Sequence, residues 1–222
     1  INSSIANEFS SAGYRLGHTM LSSVLKIGPD STILLRETFF KPEFLQEHGI
    51  DNILYGGSHS LMQAIDNHII DDVRNFLFGP PENGQMLDLA TLNIQRGRDH
   101  GLPGYNEVRR GYGLSKKEYF SDITSNEELA TNLALVYESP DYIDPWIGLL
   151  CEDHLDGKPV GELVHAILLD QFTRLQRGDR FYFENDNRLS KKIKDEVKAT
   201  KLSDIIRRNC QTTVNDDVFH FN

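Results

Sequence analysis

Apolar side chains recur at spacings of three and four along most of this chain, the period of a helix with one buried face. The clearest run is Val160 to Leu175. There Val160, Leu163, Val164, Ile167, Leu168, Phe172 and Leu175 form one wide apolar stripe, and Gly178 closes the segment. Ser60 to Phe78 repeats the pattern through Leu61, Ile65, Ile69, Val73 and Phe76, with Gly79-Pro80-Pro81 as its stop. Met86 to His100 is helical in its first part through Leu87, Ala90, Thr91 and Ile94. Gly101-Leu102-Pro103-Gly104 then forces a turn, and a short helix from Tyr105 to Arg110 ends at Gly111. Glu127 to Tyr137 is a further helix, with Ser125 as a cap. Ser4 to Leu25 also fits a helix, although glycine costs roughly 1 kcal/mol against alanine in a helix interior. Gly13 and Gly17, four apart, leave one side of it bare enough for a flat object or another backbone. Ser31 to Thr38 is the best strand signal, Gly56-Gly57 is a turn signal, and Ser139 to Lys158 is loop-rich. Lys191 to Lys201 reads as a solvated helical face. The pattern predicts a mainly α chain with irregular connections, no repeat and no domain boundary.

Composition narrows the partners. The 222 residues suffice for one domain with a sizeable core. A net charge of -10 argues against a nucleic-acid partner and weakly against an anionic membrane surface. No run of about 18 apolar residues is present to make a transmembrane segment. No signal peptide is visible, and the chain starts at Ile1, the expectation being a processed chain or a piece of a longer one. Cys151 and Cys210 do not make a disulfide framework; either one bridge or two buried thiols fits, the latter slightly ahead. Asn2-Ser3-Ser4 is a glycosylation sequon of low specificity.

Candidate chemistry sits in two stretches. In "YRLGHT", Tyr14 to Thr19, Arg15 lies three positions before His18 and so on the same helical face. A lone helix histidine is more often structural than a ligand, but a cation and an imidazole beside glycines suit an anionic, planar cofactor. In "LNIQRGRDHG", Leu92 to Gly101, Asn93 and Arg96 also share a face. The simplest reading of that stretch is a helix end with Arg96 and Arg98 in solvent. Asp99 and His100 are adjacent, point apart and make a poor chelate. No zinc-type array, phosphate loop, dinucleotide fingerprint or nucleophile elbow occurs.

"YRLGHT" followed by "LNIQRGRDHGLPGYNEVRR" resembles the animal haem peroxidases, the family of myeloperoxidase, lactoperoxidase, thyroid peroxidase and peroxidasin. Asp144-Pro145-Trp146-Ile147-Gly148, Val160-Gly161 and "QFTRLQRGDRFYFEN" (Gln171 to Asn185) match in the same order. The resemblance implies an irregular multi-helix fold with long loops and little β structure. It implies that His18 is the proximal histidine, the axial ligand of haem iron. Asn93 is then the partner of its other ring nitrogen, fixing ring orientation and tautomer. A neutral amide should leave the imidazole less electron-donating than a carboxylate would, keeping the iron oxidising. Arg15 and Arg96 are implied as partners of the haem propionates. The implied activity is oxidation of halides, phenols or other small electron donors by hydrogen peroxide, with haem carrying the chemistry.

The family's distal histidine with its neighbouring glutamine, distal arginine, calcium loop and haem-linking carboxylates lie well upstream of the proximal histidine, whereas here 17 residues precede His18. Residues 1–222 are therefore expected to be the C-terminal, haem-proximal part of one peroxidase domain, with an N-terminal segment or chain as partner and calcium only there. Alone it would lack a distal acid–base group for peroxide cleavage. Where vertebrate relatives carry a bridge, this chain has Ala166 and Arg207. The resemblance thus implies a shifted Cys151–Cys210 disulfide, which would fit an oxidising, secreted or extracellular setting. Two alternatives stay open: a non-catalytic matrix, storage or adhesive protein, and a haem fatty-acid dioxygenase, which needs a radical-bearing tyrosine and a lipid channel.

Overall fold

The computed structural model describes residues 1–79 and 87–219, so Pro80-Pro81 and Met86 lie outside the described residues. Among the described residues the chain is mainly α, with one antiparallel hairpin of β1 (Val24–Ile27) and β2 (Ser31–Leu34). The strand expected at 31–38 is present but shorter, because the chain turns into a 3-10 helix at Leu35.

The amino-terminal segment is not one helix. α1 spans Asn7–Ser11, the backbone breaks at Ala12 (φ -135°, ψ -68°), and Gly13–Thr19 winds as a 3-10 helix. Gly13 sits where a Cβ would lie 2.7 Å from Ile167 Cγ2, so the backbone itself packs there. Only Gly17, with nothing within 4 Å of its missing Cβ, gives the bare side expected of both glycines.

α2 (Glu43–His48) and α3 (Ile50–Ser58) follow, and Gly56-Gly57 lies inside α3 rather than in a turn. A Cβ on Gly56 would come within 1.7 Å of Lys26 O, which shows that α3 docks on β1 backbone to backbone. Gly56→Ala is therefore expected to push helix and hairpin apart and to lower stability by about 1–3 kcal/mol, an overpacking cost. A thermal melt that matches the parent would contradict this.

The helix expected over Ser60 to Phe78 shrinks to α4, Asp71–Asn75. Backbone groups before it bond to distant segments instead of to the turn four residues back: Gln63 N donates to Met20 O (3.0 Å), and Ile65 O accepts from His154 Nε2 (2.7 Å). Ile65 and Val73 are buried while Leu61 and Met62 are exposed. The apolar spacing anchors an irregular strap, not a helical face.

α5 (Leu89–Asp99) and α6 (Tyr105–Gly111) match expectation. α7 (Glu127–Val136) is capped by Asn126, whose Oδ1 accepts from Leu129 N at 3.1 Å, and not by Ser125. α8 (Pro145–Cys151) lies in the stretch expected to be loop. Its Pro145 start suits a first helical position, and it is buried on most sides, so no amphipathic period announces it. α9 (Glu162–Gly178) is the long helix foreseen. α10 (Lys191–Ala199) has no buried residue, in keeping with a solvated face; α11 (Leu202–Asn209) was not foreseen.

The core gathers where α6, α8 and α9 meet, around Tyr105, Leu149, Leu163, Val164 and Ile167. In α9 the inner stripe includes Gln171, fully buried, whereas Phe172 is half exposed. Gln171 Oε1 accepts from Ala6 N (2.7 Å), fastening the chain start to α9. Beside the core, Arg109 is buried with Nη1 on Glu152 Oε1 and Nη2 on Glu162 Oε2, each at 2.5 Å. Glu152 also accepts from Tyr105 OH (2.6 Å) and Leu163 N (2.7 Å). Burial, reinforced by Glu152, raises the Tyr105 phenol far above its ordinary pKa.

The expected Cys151–Cys210 bridge is not formed; both are free thiols. Cys151 belongs to the core, where burial pushes its thiol up to about 12, and Cys210 lies near Asp51 at the end of α11.

Candidate functional site

His18 and Asn93 come together across 75 positions of sequence. Two devices aim them. The 3-10 winding repeats every three residues, so Arg15 and His18 stand one above the other on a single edge. α5 is held at both ends. Asp88 caps its start, accepting from Ala90 N (2.8 Å) and Thr91 N (3.3 Å). Near its end, Arg98 forks onto Asp144 with two bonds of 2.8 Å, and Tyr137 OH adds a third of 2.8 Å. Burial pulls the Asp144 pKa up, but Arg98 and Tyr137 outweigh it and hold the carboxyl below its ordinary value. Arg98 is thus a structural clamp although it is exposed, as expected, and Arg96, also exposed, makes no ion pair among the described residues. α1 joins the same end of α5 through Asn7 Nδ2 to His100 O (2.8 Å). His100 is engaged by α1 and Asp99 by Gln95, so this pair forms no metal site.

The resulting geometry is a line. Arg15 Nη1 donates to Asn93 Oδ1 (2.8 Å), and Asn93 Nδ2 lies 2.8 Å from His18 Nδ1. Arg15 has only donors, so its position turns the amide oxygen toward itself and the amide nitrogen toward the imidazole. Nδ1 of His18 is then the acceptor, and a neutral ring carries its proton on Nε2. Asn93 is fully buried, so its orientation cannot be traded for contact with water. Arg15 is steadied by a second bond, Nε to Ser10 O (3.0 Å). Burial, then the Arg15 charge, lowers the His18 pKa, which keeps the ring neutral at neutral pH.

Arg96 stands near Arg15. Burial, then the Arg96 charge, lowers the Arg15 pKa, the mark of two neighbouring cations. Neither guanidinium has an acidic partner among the described residues, in a chain with 33 acidic residues. Two arginines without acidic partners can bind an anion, and a neutral imidazole beside them can ligate a metal. No group of three or more His, Cys, Asp or Glu among the described residues could hold a metal ion by itself. One imidazole suits a metal whose other ligands come from elsewhere, such as a macrocycle. A cavity of about 970 Å³ lined by Glu8, Tyr112, Leu169 and Asp170 lies apart from Arg15, His18, Asn93 and Arg96.

Sequence reasoning named His18, Asn93, Arg15 and Arg96, and the structure brings all four into one neighbourhood. It missed the Arg15–Asn93 bond and the Asp144–Tyr137 clamp, which no local spacing signals.

The family model described as animal haem peroxidase matches residues 1–219. Peroxinectin A of Dictyostelium discoideum is 35% identical over 213 residues, covering 94% of this chain and 39% of that protein. The solved structure of peroxidase A from Dictyostelium discoideum superposes with a TM-score of 0.89 at 34% identity, covering 98% of this chain and 43% of that one. A fatty acid α-dioxygenase from Arabidopsis thaliana superposes with a TM-score of 0.84 at 26% identity, covering 97% and 38%. The chain spans about two fifths of the length of each of these proteins. No helix among the described residues is long and apolar enough to cross a membrane.

Proposed function

Because the chain belongs to the animal haem peroxidase family, we propose that it supplies the haem-proximal face of a peroxidase that oxidises small donors, halides or phenols, with hydrogen peroxide. The observation that carries this reading is the Arg15–Asn93–His18 line with the unpaired Arg96 beside it. These residues fit the cofactor. His18 Nε2 makes no hydrogen bond among the described residues and would be available to hold haem iron. Gly17 leaves the adjoining backbone bare for a flat ring system. Among the described residues Arg15 Nη2 and all the donors of Arg96 are without a hydrogen-bond partner, which suits two propionate carboxylates.

When bound, haem supplies the redox chemistry, taking oxidising equivalents from peroxide and passing them to a donor. The chain's own residues set its conditions. To ligate through Nε2, a neutral His18 would carry its proton on Nδ1, with the Asn93 amide oxygen as the acceptor. Accepting from Nδ1–H as a neutral amide, Asn93 would push less density into the ring than a carboxylate would. None of the four can act as the distal acid–base group that peroxide cleavage requires. We place that group, and calcium, in an N-terminal segment or partner chain, and the intact protein in a secreted or extracellular setting.

The four site residues speak against a purely adhesive role, since a scaffold needs none of them. The likeness to the α-dioxygenase is one of fold, and donor choice separates the two readings. The test is the visible spectrum of the intact protein: a Soret band that shifts with peroxide, and peroxide-dependent oxidation of iodide or a simple phenol, are expected. Intact protein that takes up no haem would overturn the reading, and oxygen-dependent fatty-acid consumption without peroxide would favour the dioxygenase.

A further inference from the structure

Of the eight tyrosines, Tyr14, Tyr119 and Tyr142 are exposed, at 60%, 72% and 68%. Only Tyr14 lies on the element that carries His18. A 3-10 helix rises about 2 Å per residue, so the two backbones are roughly 8 Å apart. Its threefold repeat also stacks Tyr14 over Gly17, the residue with open space beside it. The Tyr14 ring is held firmly: it stacks on Phe9 (4.7 Å between centroids, 20° between planes) and meets Phe172 edge-on (6.0 Å, 68°). Other tyrosines are committed elsewhere. Tyr105 is buried with its hydroxyl on Glu152, and Tyr137 spends its hydroxyl on Asp144. Tyr14 makes no hydrogen bond to its hydroxyl among the described residues.

An oxidisable phenol, fixed in an aromatic seat four residues before His18 and exposed among the described residues, has the placement of a relay. We propose that Tyr14 is a surface oxidation site through which phenolic donors too bulky to reach the haem, such as phenols carried on a macromolecule, are oxidised. This rests on the peroxidase reading. With haem bound and peroxide as the oxidant, Tyr14 would give up one electron and pass its phenolic proton to water. A donor phenol resting on the exposed ring returns an electron and its own proton to Tyr14 and leaves as a phenoxyl radical. Two such cycles consume one peroxide: H2O2 and two phenols give two phenoxyl radicals and two waters.

The test compares the intact, haem-loaded protein with its Tyr14→Phe variant, which keeps the stacked ring and removes the hydroxyl. Two donors are used, free guaiacol and the same phenol tethered to a 10 kDa polyethylene glycol. The ratio of tethered to free turnover should fall at least tenfold in Y14F and stay at the parent value in Y119F and Y142F. In parallel, peroxide is added to the parent without donor in the presence of a nitroso spin trap, and peptide mapping should place the adduct on Tyr14. An unchanged ratio in Y14F, or adducts that avoid Tyr14 while guaiacol is still oxidised, overturns the relay and leaves the peroxidase reading standing. No guaiacol oxidation by the parent overturns both.

Discussion

Replacing His18 by alanine is expected to abolish the Soret band of the purified protein while leaving the far-ultraviolet helical signal nearly intact. His18 is half-buried, and its one hydrogen bond among the described residues is to Asn93. Its removal strands the buried Asn93 amide nitrogen, which costs about 1–3 kcal/mol. That is a tax on stability, not an unfolding. The ligand loss is the larger effect, because altering even a residue behind a metal ligand typically weakens binding by roughly 10- to 100-fold. Added imidazole should restore the band in H18A by occupying the vacated space against Asn93. A normal, imidazole-independent Soret band in H18A would show that another group holds the iron.

Arg109→Met should be the most damaging single change to the fold. It leaves Glu152 buried, 6% exposed, facing Tyr105 OH and Leu163 N without its cation. Breaking one side of a buried ion pair typically costs about 3–5 kcal/mol, a large share of the stability of a domain this size. The urea midpoint should fall steeply. The double variant R109M/E152Q, which removes both charges, should recover part of the loss, and R109K, which keeps the charge without the fork, should lie between. A midpoint for R109M equal to that of the parent would mean that the α6–α8–α9 junction does not depend on this knot.

What the sequence discloses depends on whether an element's reason for existing is local. α9 and α5 carry their own periodicity, and α5 also carries its cap at Asp88, so both are readable. α8 is not, because a short helix buried on most sides has no polar face to set the period. The strap from His59 to Ile70 misleads for the opposite reason: apolar residues four apart anchor an irregular segment whose backbone bonds lie far along the chain. The same holds within the site. Family resemblance supplies His18, Asn93, Arg15 and Arg96 by name. It does not supply the direction of the Asn93 amide, which is fixed by a contact 78 residues away in sequence. Arg109 meets Glu152 and Glu162 across 43 and 53 residues, and such residues in a list look like surface charge.

The pair of arginines near His18 also matters before any contact is made. In a chain of net charge -10, they make an island of two neighbouring positive charges. A dianionic guest is repelled over much of the surface and drawn in at that island, from within a screening length of about 8 Å at physiological ionic strength. The field therefore sorts approach routes, delivering carboxylate-bearing ends toward the guanidiniums and favouring one orientation of arrival over its reverse.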